Sequence, residues 1–393
     1  MIEKEQSGMA KEFLVQTNVT FGQDSINTIS EILTDFGAKN VMVVYDKGVA
    51  AVGIADKVLG AIDKNLFKVV PFDGVIPNPT NEVVEEGYRL AQENEIDAFV
   101  AVGGGSSMDT AKAINVLCAN GGNIMDYEGI GNVPKKPFPL IAIPTTAGTS
   151  SEITNVAALV DTKTVRKYVV IDNKIIADKV ICDPEFTRTV PPGVTAATGL
   201  DAITHAVESY VSNEATYLTR YNSLRGLQIF HENLPRVYKD GNDMEARENM
   251  MLGCIVVGFG FSNANLGLVH AIAHTLSAHF GLAHGVANAC VLPYVTEFNA
   301  EKTPKEMIEL AKAINLPLTG NEDVDKYALS KELLRMVKEM GIKPLREQGR
   351  EQKITEADFD IIADDALKEG PLHFNPRQDV TKEVIIDILK KAF

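Results

Sequence analysis

Four side chains of the kind that bind first-row metals, Asp201, His205, His270 and His284, stand at spacings that let two neighbouring helices close around one divalent ion. Asp201 and His205 lie in Gly199-Leu200-Asp201-Ala202-Ile203-Thr204-His205, an i, i+4 separation that puts carboxylate and imidazole on one helical face about a turn apart. His270 and His284 bracket an expected helix end at Phe280-Gly281, and His270-Ala271-Ile272-Ala273-His274 repeats the i, i+4 spacing. Five of the seven histidines fall in the acidic helix motif or between His270 and His284; one of these five, His279, reads with His231 and His373 as an ordinary packed or surface residue. One carboxylate with three imidazoles suits Fe(II), Zn(II) or a related first-row ion and leaves a coordination position for a substrate oxygen. The four cysteines, Cys118, Cys182, Cys254 and Cys290, are far apart in apolar segments. They have neither metal-ligand spacing nor a disulfide framework, and read as reduced, buried small hydrophobes.

A second chemistry is written earlier in the chain. Val102-Gly103-Gly104-Gly105-Ser106-Ser107-Met108-Asp109-Thr110 follows a strand-like run and opens a helix carrying Lys112 and Ile114. Glycines there let backbone approach a pyrophosphate, and the helix N-terminus offers unpaired N–H groups at the positive end of its dipole. A polar turn, Pro144-Thr145-Thr146-Ala147-Gly148-Thr149-Ser150-Ser151-Glu152, follows another strand and suits the rest of a dinucleotide. Asp46 ends the run Val41 to Tyr45, where a carboxylate accepts both hydroxyls of an adenine ribose and repels a 2′-phosphate, favouring NAD over NADP. The lookalike Gly258-Phe259-Gly260-Phe261-Ser262-Asn263 falls in a helical neighbourhood without an acidic partner, and is not read as a nucleotide fingerprint.

These residues need a scaffold of two kinds. The runs at 40–45, 67–72, 97–102 and 139–143 look like buried parallel strands, with helical periodicity between them as in Val83 to Asn94. That alternation predicts an α/β layer whose ligand site lies at the carboxyl ends of the strands. Strand-like runs persist through Tyr168 to Ile171 and Val180 to Cys182, and after Pro191-Pro192-Gly193 the pattern turns to long helices. A chain of 393 residues fits two domains, divided here at 1–190 and 191–393 and expected to pack directly together. Net charge of −15 argues against nucleic-acid or anionic-membrane partners, which need a concentrated basic face. The polar stretch Met1 to Lys11 is unlike a secretory signal, and no apolar run approaches the roughly 20 residues of a membrane span, so a cytoplasmic protein is expected.

Taken together, the motifs resemble the iron-containing, group III alcohol dehydrogenases over essentially the whole chain. The segments carrying the resemblance are Gly103 to Asp109, Pro144 to Thr149, Gly199 to Glu208 and Gly281-Leu282-Ala283-His284-Gly285-Val286-Ala287-Asn288, in that order. The resemblance implies a dehydroquinate synthase-like fold, an N-terminal α/β dinucleotide-binding domain with an all-α C-terminal metal-binding and catalytic domain. It implies Asp201, His205, His270 and His284 as ligands of a divalent metal, Fe2+ before Zn2+ or another ion, with His274 beside the metal organising or relaying a proton. NAD is the implied cofactor. Gly104, Gly105, Ser106 and Ser107 would hold its pyrophosphate, Thr145, Thr146 and Thr149 would line the nicotinamide side, and Asn78 and Lys167 would add further contacts. A homodimer, built partly through the region Phe13 to Phe21, or a larger homo-oligomer is also implied.

Short primary alcohols, short diols and their aldehydes are the expected substrates, since Gly258-Phe259-Gly260-Phe261 offers an apolar wall and no arginine pair adjoins the motifs. Two alternatives share the fold. A 3-dehydroquinate synthase-like lyase would need basic residues for a phosphate-bearing acid, and a glycerol dehydrogenase relative would use zinc with fewer histidines.

Overall fold

The β-branched runs of the first half are apolar at consecutive positions, and such strands are stable only when covered on both faces. In the computed structural model, which describes residues 12–15, 17–164, 166–349 and 352–393, they form strands as expected. The polar stretch Met1 to Lys11 lies outside the described residues. In chain order the strands are β1 (Asn18–Phe21), β2 (Asn40–Asp46), β3 (Lys68–Val75), β4 (Ala98–Gly103), β5 (Gly129–Ile130), β6 (Leu140–Pro144), β7 (Val156–Asp161), β8 (Arg166–Ile171) and β9 (Lys179–Cys182). Six of them make one parallel sheet in the order β1-β9-β6-β4-β2-β3. Alternate residues serve its two faces: Met42, Val44, Phe99 and Ala101 pack on one side, Val41, Val43, Val100 and Val102 on the other.

Strand order reverses direction between β2 and β4, and in such sheets ligands bind at the carboxyl ends beside the reversal. Asp46 ends β2, Gly103 ends β4 and Pro144 ends β6, so the acidic residue and both polar turns emerge side by side. The run at Tyr168 to Ile171 belongs to a separate three-stranded sheet, β5-β8-β7, in which β7 and β8 are antiparallel. Strand β7, with alternate residues buried, was not anticipated from the sequence.

Helices α1 (Ile29–Asp35), α2 (Lys47–Ala51), α3 (Ile54–Ala61), α4 (Asn81–Glu93) and α5 (Gly105–Asn120) connect the strands. The second half holds α6 (Pro192–Val211), α7 (Tyr217–Lys239), α8 (Met244–Ala264), α9 (Leu268–Phe280) and α10 (His284–Ala300), followed by shorter helices. Pro192 opens α6 where its missing N–H costs nothing, and Gly281 ends α9 with φ of 63°, the left-handed stop read at Phe280-Gly281. The lookalike at Gly258 is interior to α8. The halves pack directly: Met251 and Ile255 of α8 join the sheet's core, and Ser150 Oγ donates to the Cys254 carbonyl at 2.8 Å. Among the described residues no single helix is long and apolar enough to cross a membrane.

The two helices that start and carry the metal-ligand candidates touch at Gly285, the second residue of α10. A Cβ there would stand 2.2 Å from the Ala197 carbonyl oxygen and 3.3 Å from Asp201 Cβ. Gly285→Ala should therefore force α10 off α6, lowering stability by about 1–3 kcal/mol and reducing bound metal together. A denaturant midpoint and metal content both equal to wild type would show that the contact has room to give.

Candidate metal centre and cofactor cleft

Helix α6 is buried almost all round from Thr195 to Val211, so its polar side chains must find partners within the protein. Asp201, His205 and Glu208 recur at i, i+4 and i+7 along one face. Asp201 Oδ1 lies 3.8 Å from His205 Nε2, 3.8 Å from His270 Nε2 and 3.7 Å from His284 Nε2. Ligand atoms of Asp201, His270 and His284 fall within 4.8 Å of one another, as a metal site requires. His205 is outside that trio, its ring stacked on Phe261 at 4.2 Å and on His270 at 5.0 Å.

Two residues without a role in the sequence reading complete the cluster. Asn288 Nδ2 donates to Asp201 Oδ1 at 2.6 Å and lies 3.2 Å from both His270 Nε2 and His284 Nε2. Glu208 Oε2 is 2.6 Å from His270 Nδ1. Spacing was the available signal, since Glu208 is one turn beyond His205 and Asn288 one turn beyond His284. His274, one turn after His270, stands with its ring 5.6 Å from that of His284 and its Nδ1 2.8 Å from Glu369 Oε2. Nothing in the sequence pointed to Glu369. His231 and His279 pair with Glu332 and Asp365 away from this site, and His373 is exposed.

Burial disfavours protonation of His205, His274 and His284. Burial pushes His205 down to about 4, against the partial opposition of Asp201. Burial, then the Lys167 ammonium, hold His284 well below the usual histidine range. His274 is lowered by burial, although its hydrogen bond to Glu369 works the other way. Unprotonated imidazoles offer lone pairs, and the Nε2 atoms of His205, His270 and His284 converge on Asp201 Oδ1. A donor set of one carboxylate and three imidazole nitrogens fits a first-row divalent ion.

On the other side, α5 begins at Gly105, and Gly104 accepts the N–H groups of Ser107 and Met108 at 3.1 and 3.2 Å. The Gly105 and Ser106 N–H groups precede any helical acceptor, as a phosphate cradle requires. Thr145 N–H donates to the Gly103 carbonyl at 2.9 Å, and Thr146 and Thr149 lie against Gly104 and Gly105, so the two turns form one surface. Asp46 Oδ1 accepts the Gly48 and Val49 N–H groups at 2.7 and 3.0 Å, capping α2, while Oδ2 stands 3.5 Å from Ser107 Oγ. These residues suit a dinucleotide, with one Asp46 oxygen already engaged. Asn78, at φ of 53°, precedes the bridge from Thr80 to Val160, and Val160 is the cross-strand partner of Lys167. Burial lowers Lys167, whose charge acts on Asp109 and Asp201.

Residues 16–184 match the family model described as iron-containing alcohol dehydrogenase, and residues 195–393 match the Fe-containing alcohol dehydrogenase family, C-terminal. The chain is 36% identical to the 1,3-propanediol dehydrogenase of Citrobacter freundii over 386 residues, covering 97% of this chain and 98% of that one. It is 34% identical to the NAD-dependent methanol dehydrogenase of Bacillus methanolicus over 383 residues, covering 97% and 99%. Its structure matches the alcohol dehydrogenase from Oenococcus oeni with a TM-score of 0.93 at 32% identity, covering 98% and 100%.

Two outcomes follow from the cluster. His270→Ala or His284→Ala should abolish stoichiometric metal retention while the protein still binds NADH, read by elemental analysis and nucleotide fluorescence. Undiminished metal content would remove the altered residue from the ligand set. The second concerns acid. With His205 at about 4 in the folded state and 6.5 unfolded, the unfolded chain takes up the proton first. Metal-stripped protein should therefore lose stability as pH falls from 6.5 to 4, by roughly 3 kcal/mol from this residue at about 1.4 kcal/mol per unit. Denaturant midpoints that are flat across that window would contradict it.

Proposed function

The chain belongs to the iron-containing alcohol dehydrogenase family, and from that premise we propose that it interconverts short primary alcohols or diols and their aldehydes, with NAD(H) as hydride partner. The observation that carries this reading is the adjacency of the two sites. The turn holding Thr145 to Thr149 packs directly on α6, where a Cβ on Gly148 would stand 2.6 Å from Thr198 Cβ, three residues before Asp201.

When bound, a divalent ion supplies Lewis acidity toward an alcohol or carbonyl oxygen, and NAD supplies the hydride acceptor. Asp201, His205, His270 and His284 would hold the ion, with Fe2+ the first choice. Gly104 to Ser107 would receive the pyrophosphate, and Asp46 would take the adenine ribose hydroxyls through Oδ2. Thr145, Thr146 and Thr149 would line the nicotinamide side, with Asn78 and Lys167 beyond them. His274, with Nδ1 2.8 Å from Glu369 Oε2 and its side chain 14% exposed, would keep Nε2 as a proton acceptor. Phe261, stacked on His205 at 4.2 Å, puts an apolar face beside the cluster.

A lyase of the 3-dehydroquinate synthase type gains no support, since the segments Leu200 to Tyr210 and Leu266 to Asn288 contain no lysine or arginine to receive a phosphate-bearing acid. Within the same reading the chain divides near residue 190, works in the cytoplasm, and assembles as a homodimer or larger homo-oligomer.

Metal analysis of the purified protein, followed by NADH and NADPH oxidation against short aldehydes, tests the function. Metal-loaded protein that oxidises neither nucleotide with any of them would sink it. Asp46→Gly should raise NADP use relative to NAD by about ten-fold, since removing a repulsion of some 1.4 kcal/mol changes the ratio that much, while loss of the α2 cap to Gly costs only a few tenths. An unchanged coenzyme ratio would remove Asp46 from cofactor selection.

A further inference from the structure

Glu208 uses both of its oxygens on the start of α9. Oε2 is 2.6 Å from His270 Nδ1, Oε1 accepts the Val269 N–H at 2.6 Å, and the residue is 3% exposed. The neighbouring Leu268 N–H goes to Asn375 Oδ1 at 3.3 Å. The N-cap position of α9 is Gly267, which has no side chain to offer, so α6 supplies the acceptor that α9 lacks.

A carboxylate only accepts. With each oxygen facing an N–H donor, the His270 proton is fixed on Nδ1 and the Nε2 lone pair turns to Asp201.

We propose that Glu208 is a positioning residue of the metal centre, fixing His270 as the Nδ1–H tautomer so that its Nε2 lone pair faces Asp201. This rests on His270 being a ligand, as the proposed function has it.

Glu208→Gln keeps the volume but offers one acceptor oxygen to two donors. If that oxygen stays on Val269 N–H, the amide NH2 faces His270 Nδ1, drives the ring proton to Nε2 and blocks its lone pair. Metal-stripped wild type, E208Q and Glu208→Asp are titrated with Zn2+ against a chromophoric chelator, without substrate or nucleotide. E208Q should weaken Zn2+ binding about ten- to hundred-fold, with E208D, which keeps the charge one methylene shorter, in between. Circular dichroism and the metal-free denaturant midpoint should stay at wild-type values. An E208Q constant within about two-fold of wild type overturns the proposal. So does a loss of affinity accompanied by an equal loss of metal-free stability, which would make Glu208 a purely structural acceptor. His270→Ala run alongside separates the cases: loss there but not in E208Q removes Glu208 alone, whereas no loss in either removes the ligand assignment.

Discussion

Two carboxylates sit on one buried helix face, Asp201 at 1% and Glu208 at 3% exposure, with imidazoles as their nearest ionisable neighbours. In a low-dielectric interior such charges interact strongly with whatever is brought near and cost several kcal/mol if left alone. The helical half is arranged around that constraint. Helix α7 and helix α8 pack on α6, enclosing it with Leu227, Phe230, Leu234 and Val257. Helices α9 and α10 then enter end-on, each presenting an N-terminal first turn to the acidic face: Val269 N–H reaches Glu208, and His284 is the first residue of α10. Helix N-termini carry partial positive charge, so their approach to carboxylates is favourable before any ion arrives.

The α/β half meets a different requirement. A parallel sheet with both faces covered is rigid, and its strand-order reversal delivers Asp46, the Gly103 turn and the Thr145 turn from three adjacent strand ends. The reactive geometry depends on how that rigid edge meets α6. The contact is made where side chains are absent or short: Gly148 lies on Thr198, and Ser150 Oγ donates to the Cys254 carbonyl. The turn from Thr145 to Thr149 is thereby fixed one helical turn from Asp201, without a flexible linker between the two clusters.

Most of this was legible because it is periodic or local. Strand runs at 40–45 and 97–102, the helix stop at Gly281 and the i, i+4 pair on α6 each follow from spacing that a single element imposes. Strand β7 was not read although Val156 to Val160 is an unbroken apolar run: its two central alanines are poor strand formers, and its partner β8 lies off the main sheet. Asn288 and Glu208 were visible within recognised motifs, yet their action depends on bonds between helices 60 to 90 residues apart in sequence, roughly the separations of Glu208 to His270 and Asp201 to Asn288. Glu369 is the extreme case. It reaches His274 from the loop after the preceding helix, and no local pattern marks a lone acidic residue as the partner of a distant imidazole.

The converging atoms of the cluster connect stability to function. The Nε2 atoms of His205, His270 and His284 face Asp201 Oδ1 at 3.7 to 3.8 Å, beyond hydrogen-bond distance. Burial also lowers the proton affinity of His205 and His284, which removes the competitor for their lone pairs at neutral pH. A core that only needed to be stable would replace such residues with apolar ones of similar volume. Their retention in a closely packed interior means that the helices, not the ion, hold the donors in place. An ion that binds the folded chain and not the unfolded one then returns stability in proportion to its concentration over its dissociation constant. The bundle accordingly gathers its lone pairs at one point, where Asp201 Oδ1 faces three imidazole Nε2 atoms.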